Sequence, residues 1–132
     1  MRFLFPDLPQ EFRYCFIAAA LVLLILSAGC TQTPAGTTNT TNGILVTHPD
    51  DSHISVAFVG ATGMDSLIEM EMTITDSNGK SITKSKGSRL GTTPIQIHAT
   101  DSFTGSYSGK NHVLVTGYFS DGSQRVLVDR DI

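Results

Sequence analysis

Residues 66–75 read SLIEMEMTIT, and this stretch decides the class of fold. Apolar and polar side chains alternate along it, with Ile68, Met70, Met72 and Ile74 on one face and Glu69, Glu71, Thr73 and Thr75 on the other. Successive side chains of a strand point to opposite faces, whereas a helix would scatter the four apolar residues around its circumference. The pattern therefore predicts a β-strand with one buried face.

The turn after this strand, 76-DSNGK-80, sets the pairing with the next one. A two-residue Asn-Gly turn would place Ile82 on the polar face. A three-residue loop that ends in a left-handed Gly79 instead pairs Ile74 with Ile82 and keeps both in the core. We predict the three-residue loop, followed by a strand over 81–86 whose two lysines are typical of a sheet edge.

Five further strands are predicted from short apolar runs bounded by turn residues. They cover 44–47, 54–59, a segment that begins at Pro94 with Ile95 and Ile97 inward, 113–119 and 125–129. The polar segment 101–110 is predicted as a loop anchored by Phe103 and Tyr107. About seven strands without a long helix predict an all-β domain over 44–132, built as an immunoglobulin-like β-sandwich.

The last hairpin turns at Asp121-Gly122, a dipeptide that favours tight turns between strands. Its register stays open, because residues 114–115 and 126–128 are apolar on both faces. A two-residue turn would allow Tyr118 to stack with Arg125 across the hairpin.

An apolar run, 16-FIAAALVLLILSAG-29, lies near the N-terminus. As a helix it would be about 21 Å long, shorter than the hydrocarbon core of a bilayer at about 30 Å. A run of this length is typical of the apolar part of a secretory signal. We therefore predict a signal helix within residues 1–30 and export of the rest of the chain.

The end of this run, 26-LSAGC-30, resembles the lipobox of lipoprotein signal peptides. The resemblance implies that the chain is cleaved before Cys30 and that lipid is attached to Cys30. Three outcomes fit the segment: lipidation of Cys30, plain cleavage, or a retained membrane anchor. The resemblance favours lipidation, and anchoring is stable when more than one acyl chain is attached.

Residues 31–43, TQTPAGTTNTTNG, lack hydrophobic periodicity and are rich in threonine. We predict a disordered linker between the signal and the domain at 44–132. Asn39 begins an Asn-Thr-Thr sequon, which makes it a candidate acceptor for N-glycosylation on an exposed segment.

Composition excludes some functions and restricts the means of stabilisation. The chain has 132 residues, enough for a signal and one domain, and a net charge of −3. A nucleic-acid-binding protein would carry a basic surface, so that class is disfavoured. Cys15 lies within the signal and Cys30 would carry lipid, so we predict no internal disulfide.

One segment carries side chains that could bind a metal ion. His48, Asp50, Asp51 and His53 fall within six residues, and imidazole and carboxylate groups suit a divalent cation. A polar loop between strands explains the same residues without a metal. We find no catalytic motif, so the chain is predicted to be a non-enzyme without a cofactor.

The closing stretch, 115-VTGYFSDGSQRVLVD-129, resembles the C-terminal hairpin of β domains in archaeal surface proteins, including pilin-like ones. The resemblance implies an extracellular β domain and no catalytic residues. Three functions are compatible with the sequence: a structural or adhesive cell-surface lipoprotein, an extracytoplasmic ligand- or metal-binding module, and a pilin-like filament subunit. The expected partners are the membrane, through the N-terminal segment or its lipid, and an envelope protein or polysaccharide.

Overall fold

The computed structural model describes residues 36–132, so the predicted signal helix and Cys30 lie outside the described range. The described part of the chain is all-β, as predicted, and contains eight strands rather than seven. The strands are β1 (Thr37–Thr41), β2 (Ile44–Asp50), β3 (His53–Phe58), β4 (Leu67–Thr75), β5 (Ser81–Gly87), β6 (Thr100–Thr104), β7 (His112–Phe119) and β8 (Gln124–Asp131). Residues 36–132 contain no helix that is long and apolar enough to span a membrane.

The strands form two four-stranded antiparallel sheets with the orders β1-β2-β3-β6 and β5-β4-β7-β8. Buried side chains from both sheets make one core, to which β2, β3, β4 and β7 contribute most of the apolar residues. Ile54, Val56 and Phe58 alternate inward along β3, as predicted. The hydrophobic contact between the two sheets therefore closes the domain.

Strand β4 occupies the centre of its sheet, between β5 and β7. Met70, Met72 and Ile74 are fully buried, which confirms the alternation read from the sequence. A bulge between Leu67 and Glu69 shifts the register at the start of the strand. Leu67 consequently joins the main core, whereas Ile68 is buried outside it.

The β4–β5 hairpin adopts the predicted three-residue loop. Gly79 has φ 81° and Ile74 pairs with Ile82. Strand β5 is an edge strand, and its lysines point towards the other sheet, where Nζ atoms of Lys84 and Lys86 lie 3.8 and 3.6 Å from the Asp101 carboxylate. Inward-pointing charges of this kind hinder pairing with another chain.

The prediction of a linker over 31–43 is wrong for β1, which pairs with β2 along its whole length. Asn42 and Gly43 form the connecting turn with φ 46° and 72°, the left-handed conformation of a type I′ hairpin. The Asn42 side-chain amide also donates to the Leu127 carbonyl at 3.0 Å. The Asn-Gly turn thus allows residues 37–41 to pair with β2 as a strand, although their composition is typical of a linker.

The prediction of a strand starting at Pro94 is also wrong. His98 has φ 71°, and the Ala99 N–H donates to the Gln96 carbonyl, so the chain turns at this point and cannot extend. Ile95 is buried as expected, but Ile97 is 57% exposed. The strand lies later, at β6, within a segment that was predicted as a loop.

The predicted anchors of that segment, Phe103 and Tyr107, are both buried. The Tyr107 hydroxyl has no hydrogen-bond partner among residues 36–132. Burial raises the pKa of this phenol, and the nearby Asp76 carboxylate adds to the effect. A buried hydroxyl without a partner costs stability, because it gives up its hydrogen bonds to water.

Replacing Tyr107 with phenylalanine should therefore raise the free energy of unfolding by about 1 kcal/mol. The measurement is urea unfolding of the two full chains under the same conditions. Tyr118→Phe is the control, because Tyr118 is only half-buried and should change stability little. A loss of stability in Tyr107→Phe would show that its hydroxyl has a partner, such as an ordered water.

The β7–β8 hairpin resolves the register that the sequence left open. The Phe119 N–H donates to the Ser123 carbonyl at 3.0 Å, and Gly122 has φ 81°, which makes a three-residue loop. Tyr118 therefore pairs with Gln124 and not with Arg125. The Arg125 guanidinium stacks on Phe119 instead, 4.3 Å from the ring centre.

Candidate functional site

The connections between strands gather at two opposite ends of the domain. We call one end the loop pole; it consists of the turn at 42–43, the loops 59–66 and 88–99, and the turn 120–123. We call the other end the base pole; it consists of the turns 51–52 and 76–80 and the loop 105–111. Backbone hydrogen bonds tie the members of each pole together, such as Ser120 N–H to Ser66 at the loop pole and Gly105 N–H to Ser52 at the base pole.

Exposed apolar surface is concentrated at the loop pole. Leu90, Ile97 and Val126 are 96%, 57% and 55% exposed, and they are the large apolar side chains with most exposure between residues 36 and 132. Leu90 and Ile97 lie in the loop 88–99, and Val126 lies near the start of β8. All three lie at the same pole, and exposed apolar surface at one end of a domain is a candidate contact surface.

Two clefts open at the same pole, on either side of the segment 94–97. One has a volume of about 580 Å³ and lies between this segment and the loop 59–66, with Thr62, Asp65 and Gln96 among its lining residues. The other has a volume of about 490 Å³ and is lined by Gly87, Pro94 and Ala99, among others. The second cleft is mostly apolar, and Leu90 lies next to it in sequence without filling it.

The loop 88–99 is held in place by backbone hydrogen bonds to both sheets. The Ser88 N–H donates to the Ile68 carbonyl at 3.0 Å, and the Ile95 N–H donates to the Leu67 carbonyl at 2.8 Å. The His98 N–H donates to the Phe58 carbonyl of the other sheet at 2.6 Å. The loop is long but fixed at three points, so the position of its apolar side chains is defined.

Arg89 adds a charged clamp directly before Leu90. Its guanidinium lies 2.6 Å from Glu69 Oε1 and 3.0 Å from Glu71 Oε2, and its backbone N–H donates to Glu69 Oε2 at 2.5 Å. The same guanidinium stacks on the Tyr118 ring at 3.9 Å from its centre. Glu69 is only 6% exposed although it lies on the outer face of the sheet, because Arg89 covers it.

The charged groups of this clamp shift each other's pKa. The Arg89 side chain, through its hydrogen bonds, holds the pKa of Glu69 below its ordinary value, against the opposing effect of burial. The pKa of Arg89 is raised, chiefly by the Glu69 carboxylate and further by Glu71. Both groups are therefore charged at neutral pH, as a clamp based on attraction requires.

The sequence pattern alone does not predict the contacts of Arg89. Arg89 and Glu69 are twenty residues apart, and no spacing rule connects them. The available signal was Glu69 and Glu71 side by side on the outer face of β4, since two neighbouring carboxylates favour a cation between them.

The four residues predicted to bind a metal lie at the base pole, and the structure brings only two of them together. His53 Nδ1 lies 2.9 Å from Asp50 Oδ1, which also accepts hydrogen bonds from the Ser52 hydroxyl and backbone. These bonds hold the pKa of Asp50 far below its usual range, with the Ser52 hydroxyl contributing most, then His53. Between residues 36 and 132 no three histidine, cysteine or acidic side chains are arranged so that they could hold a metal ion, and His48 and Asp51 do not join the pair.

The predicted glycosylation site, Asn39, lies in the middle of β1. It pairs with Val46, a core residue, and is half-buried. Its side chain therefore lies on the core-facing side of the sheet, at the edge. The sequence predicted an exposed acceptor, whereas this side chain is half-buried. Cys30 lies outside the described residues.

Comparison with protein-family models, with curated proteins and with solved structures gives no match. The function is therefore inferred from the geometry of the chain itself.

Proposed function

We propose that this protein is an exported, lipid-anchored β-sandwich that acts as an adhesive or interaction module at the cell surface. Its loop pole binds another component of the envelope. One observation carries the proposal: the three most exposed large apolar side chains of residues 36–132 and the two clefts described above all lie at the loop pole. The base pole is built from polar turns instead.

The direction of the chain supports an outward-facing loop pole. Strand β1 begins at Thr37, opposite His48, which is the base-pole end of its sheet. The last residue, Ile132, exchanges backbone hydrogen bonds with Asn111 in the base-pole loop 105–111. The described chain therefore enters the domain at its base-pole end, the end away from the exposed apolar side chains.

The order of strands supports the immunoglobulin-like assignment. With β1 set aside, β2, β3 and β6 share one sheet and β5, β4, β7 and β8 the other. Immunoglobulin-type domains distribute strands A, B, E and strands C, F, G in the same way, and variable-type domains add a C′ strand beside C. In those domains the loops B–C and F–G and the loop after C′ form the binding end, which corresponds to the loop pole here.

The chemistry of the loop pole favours a protein partner with an apolar depression. Leu90 is fully exposed, but the residue before it is clamped by two carboxylates and an aromatic ring. A side chain whose backbone is already ordered loses little entropy on binding and is suited to be an interface anchor. Ile97 and Val126 provide further exposed apolar surface at the same pole.

A photocrosslinking amino acid at position 90 tests the assignment. In the full chain expressed in cells, position 90 should give a discrete covalent adduct, and Ile97→Asp should reduce its yield about tenfold. The matched control places the same amino acid at position 78, an exposed turn residue of the base pole. Equal adduct yields from positions 90 and 78, or a yield unaffected by Ile97→Asp, would contradict the assignment of the loop pole as the binding surface.

Mass spectrometry of the N-terminal peptide tests the anchor independently. A peptide that begins with a lipid-modified Cys30 supports the proposal. A mature chain that keeps residues 16–29 contradicts it, and favours the retained anchor or the pilin-like subunit instead.

A further inference from the structure

Strand β1 forms one edge of its sheet, and no strand between residues 36 and 132 pairs with its outer side. Its sequence, TTNTT, carries no charge. The other three edge strands all carry charged residues: Lys84 and Lys86 in β5, Asp101 in β6, and Arg125, Asp129, Arg130 and Asp131 in β8. Charges on an edge hinder pairing with another chain, so β1 is the least protected edge of the described strands.

The sequence of β1 is symmetric about Asn39. A twofold axis normal to the sheet would make two copies of β1 antiparallel. When the axis passes through Asn39, threonine lies opposite threonine at the four remaining positions of the strand. Thr38 of one copy then faces Thr40 of the other. Like charges, which would oppose such a contact, are absent from the strand.

The domain already uses pairs of this kind between its own strands. The hydroxyls of Thr73 and Thr83 lie 2.8 Å apart across the β4–β5 pair, and those of Ser55 and Ser102 lie 3.0 Å apart across the β3–β6 pair. Cross-strand hydroxyl pairs stabilise antiparallel ladders. The threonines of two β1 strands can form the same contacts.

We propose that β1 is a self-association edge, at which a second copy of this chain adds its own β1. Two four-stranded sheets then become one continuous sheet across the twofold axis. Thr38 and Thr40 are exposed on β1 and therefore accessible to the second copy. The contact uses a different surface from the loop pole, which stays open in both copies.

The antiparallel contact places the loop poles of the two copies at opposite ends of the joined sheet. The two Thr37 residues, at which the chains enter β1, lie about 14 Å apart along the strand direction, because β1 has five residues.

Charge substitutions on β1 test the pairing in the full chain. We expect differently tagged copies to co-purify in detergent, and Thr38→Lys/Thr40→Lys to reduce this about tenfold, because lysine then faces lysine twice. Thr38→Glu/Thr40→Glu should reduce co-purification to the same extent. A mixture of the lysine and glutamate variants should recover the pairing, since opposite charges now face each other.

The matched control is Thr100→Lys/Thr104→Lys, which adds the same charge to β6, the other edge of the same sheet. It should leave co-purification unchanged. Association that persists in both β1 variants, or a mixture that does not recover, would overturn the proposal and place any contact elsewhere, such as in the apolar N-terminal segment.

The crosslink from position 90 reports on the loop pole, so failure of the β1 pairing is distinguishable from failure of the proposed function.

Discussion

Replacing Gly87 with alanine should lower the free energy of unfolding by about 3 kcal/mol, the largest loss expected from a single methyl group in this domain. Gly87 has φ 86°, which disfavours any side chain. A Cβ atom there would lie 2.1 Å from the Ile68 carbonyl oxygen, so the backbone of β4 or β5 must move. Because Gly87 directly precedes the loop 88–99, the movement should also disturb the loop pole.

Gly79→Ala is the matched control for this prediction. Gly79 has nearly the same φ, 81°, but a Cβ atom there would meet nothing within 4 Å. Gly79→Ala should lower the free energy of unfolding by about 1 kcal/mol, which is the conformational cost of the left-handed backbone alone. Urea unfolding of both variants gives the comparison, and equal losses would show that the predicted clash at Gly87 relaxes without cost.

Replacing Arg89 with alanine is expected to have the second large effect, because it removes the clamp beside Leu90. Glu69 would lose its cation and two of its hydrogen bonds, and its pKa should rise. We expect a clearly lower melting temperature and faster amide hydrogen exchange in the loop 88–99. Arg125→Ala is the control, because Arg125 stacks on an aromatic ring in the same way but has no ion pair among residues 36–132.

The pH dependence separates the ion pair from packing of the arginine side chain. The folded-state pKa of Glu69 is lowered, so its contribution is complete above the pKa of the unfolded chain and is lost as pH falls through the folded pKa. The difference in stability between the native chain and Arg89→Ala should therefore be largest near pH 7 and shrink in acid. A difference that is independent of pH would assign the effect to packing.

A double variant tests the cause directly. Glu69→Gln/Arg89→Ala leaves only the Glu71 carboxylate, which is 37% exposed, without its cation, so the double variant should be more stable at pH 7 than Arg89→Ala alone. If the second substitution lowers stability further, the cost does not come from a buried unpaired carboxylate.

Local sequence pattern was sufficient where one face of a strand is buried. The alternation of β4 and the choice of the three-residue loop at Gly79 were both predictable, because a shift of one residue would expose every core side chain of the strand. The same reasoning found the inward residues of β3. It failed to choose the register of β7 with β8, where both faces carry apolar residues and two pairings look equally good.

Composition misled the prediction at β1 and at 94–97. The threonines of β1 are typical of a linker, and the Asn42-Gly43 turn that pairs them with β2 was the available signal. Ile95 and Ile97 alternate as in a strand, but the Ile95 N–H bonds to Leu67 of β4 and the His98 N–H to Phe58 of the other sheet, because the chain crosses between sheets here. Alternation alone cannot distinguish a strand from a crossing segment whose side chains face a core and a cleft.

The class of fold follows from periodicity, because a two-residue repeat with one apolar face can be satisfied only by strands that cover each other. The site depends on contacts between residues far apart in the chain. Arg89 reaches Glu69 only because β5 lies beside β4, and Leu90 is exposed beside an apolar cleft only because the loop 88–99 is tied to both sheets. Periodicity is a property of neighbours in sequence, whereas the clamp and clefts are properties of neighbours in space, which tertiary packing alone brings together.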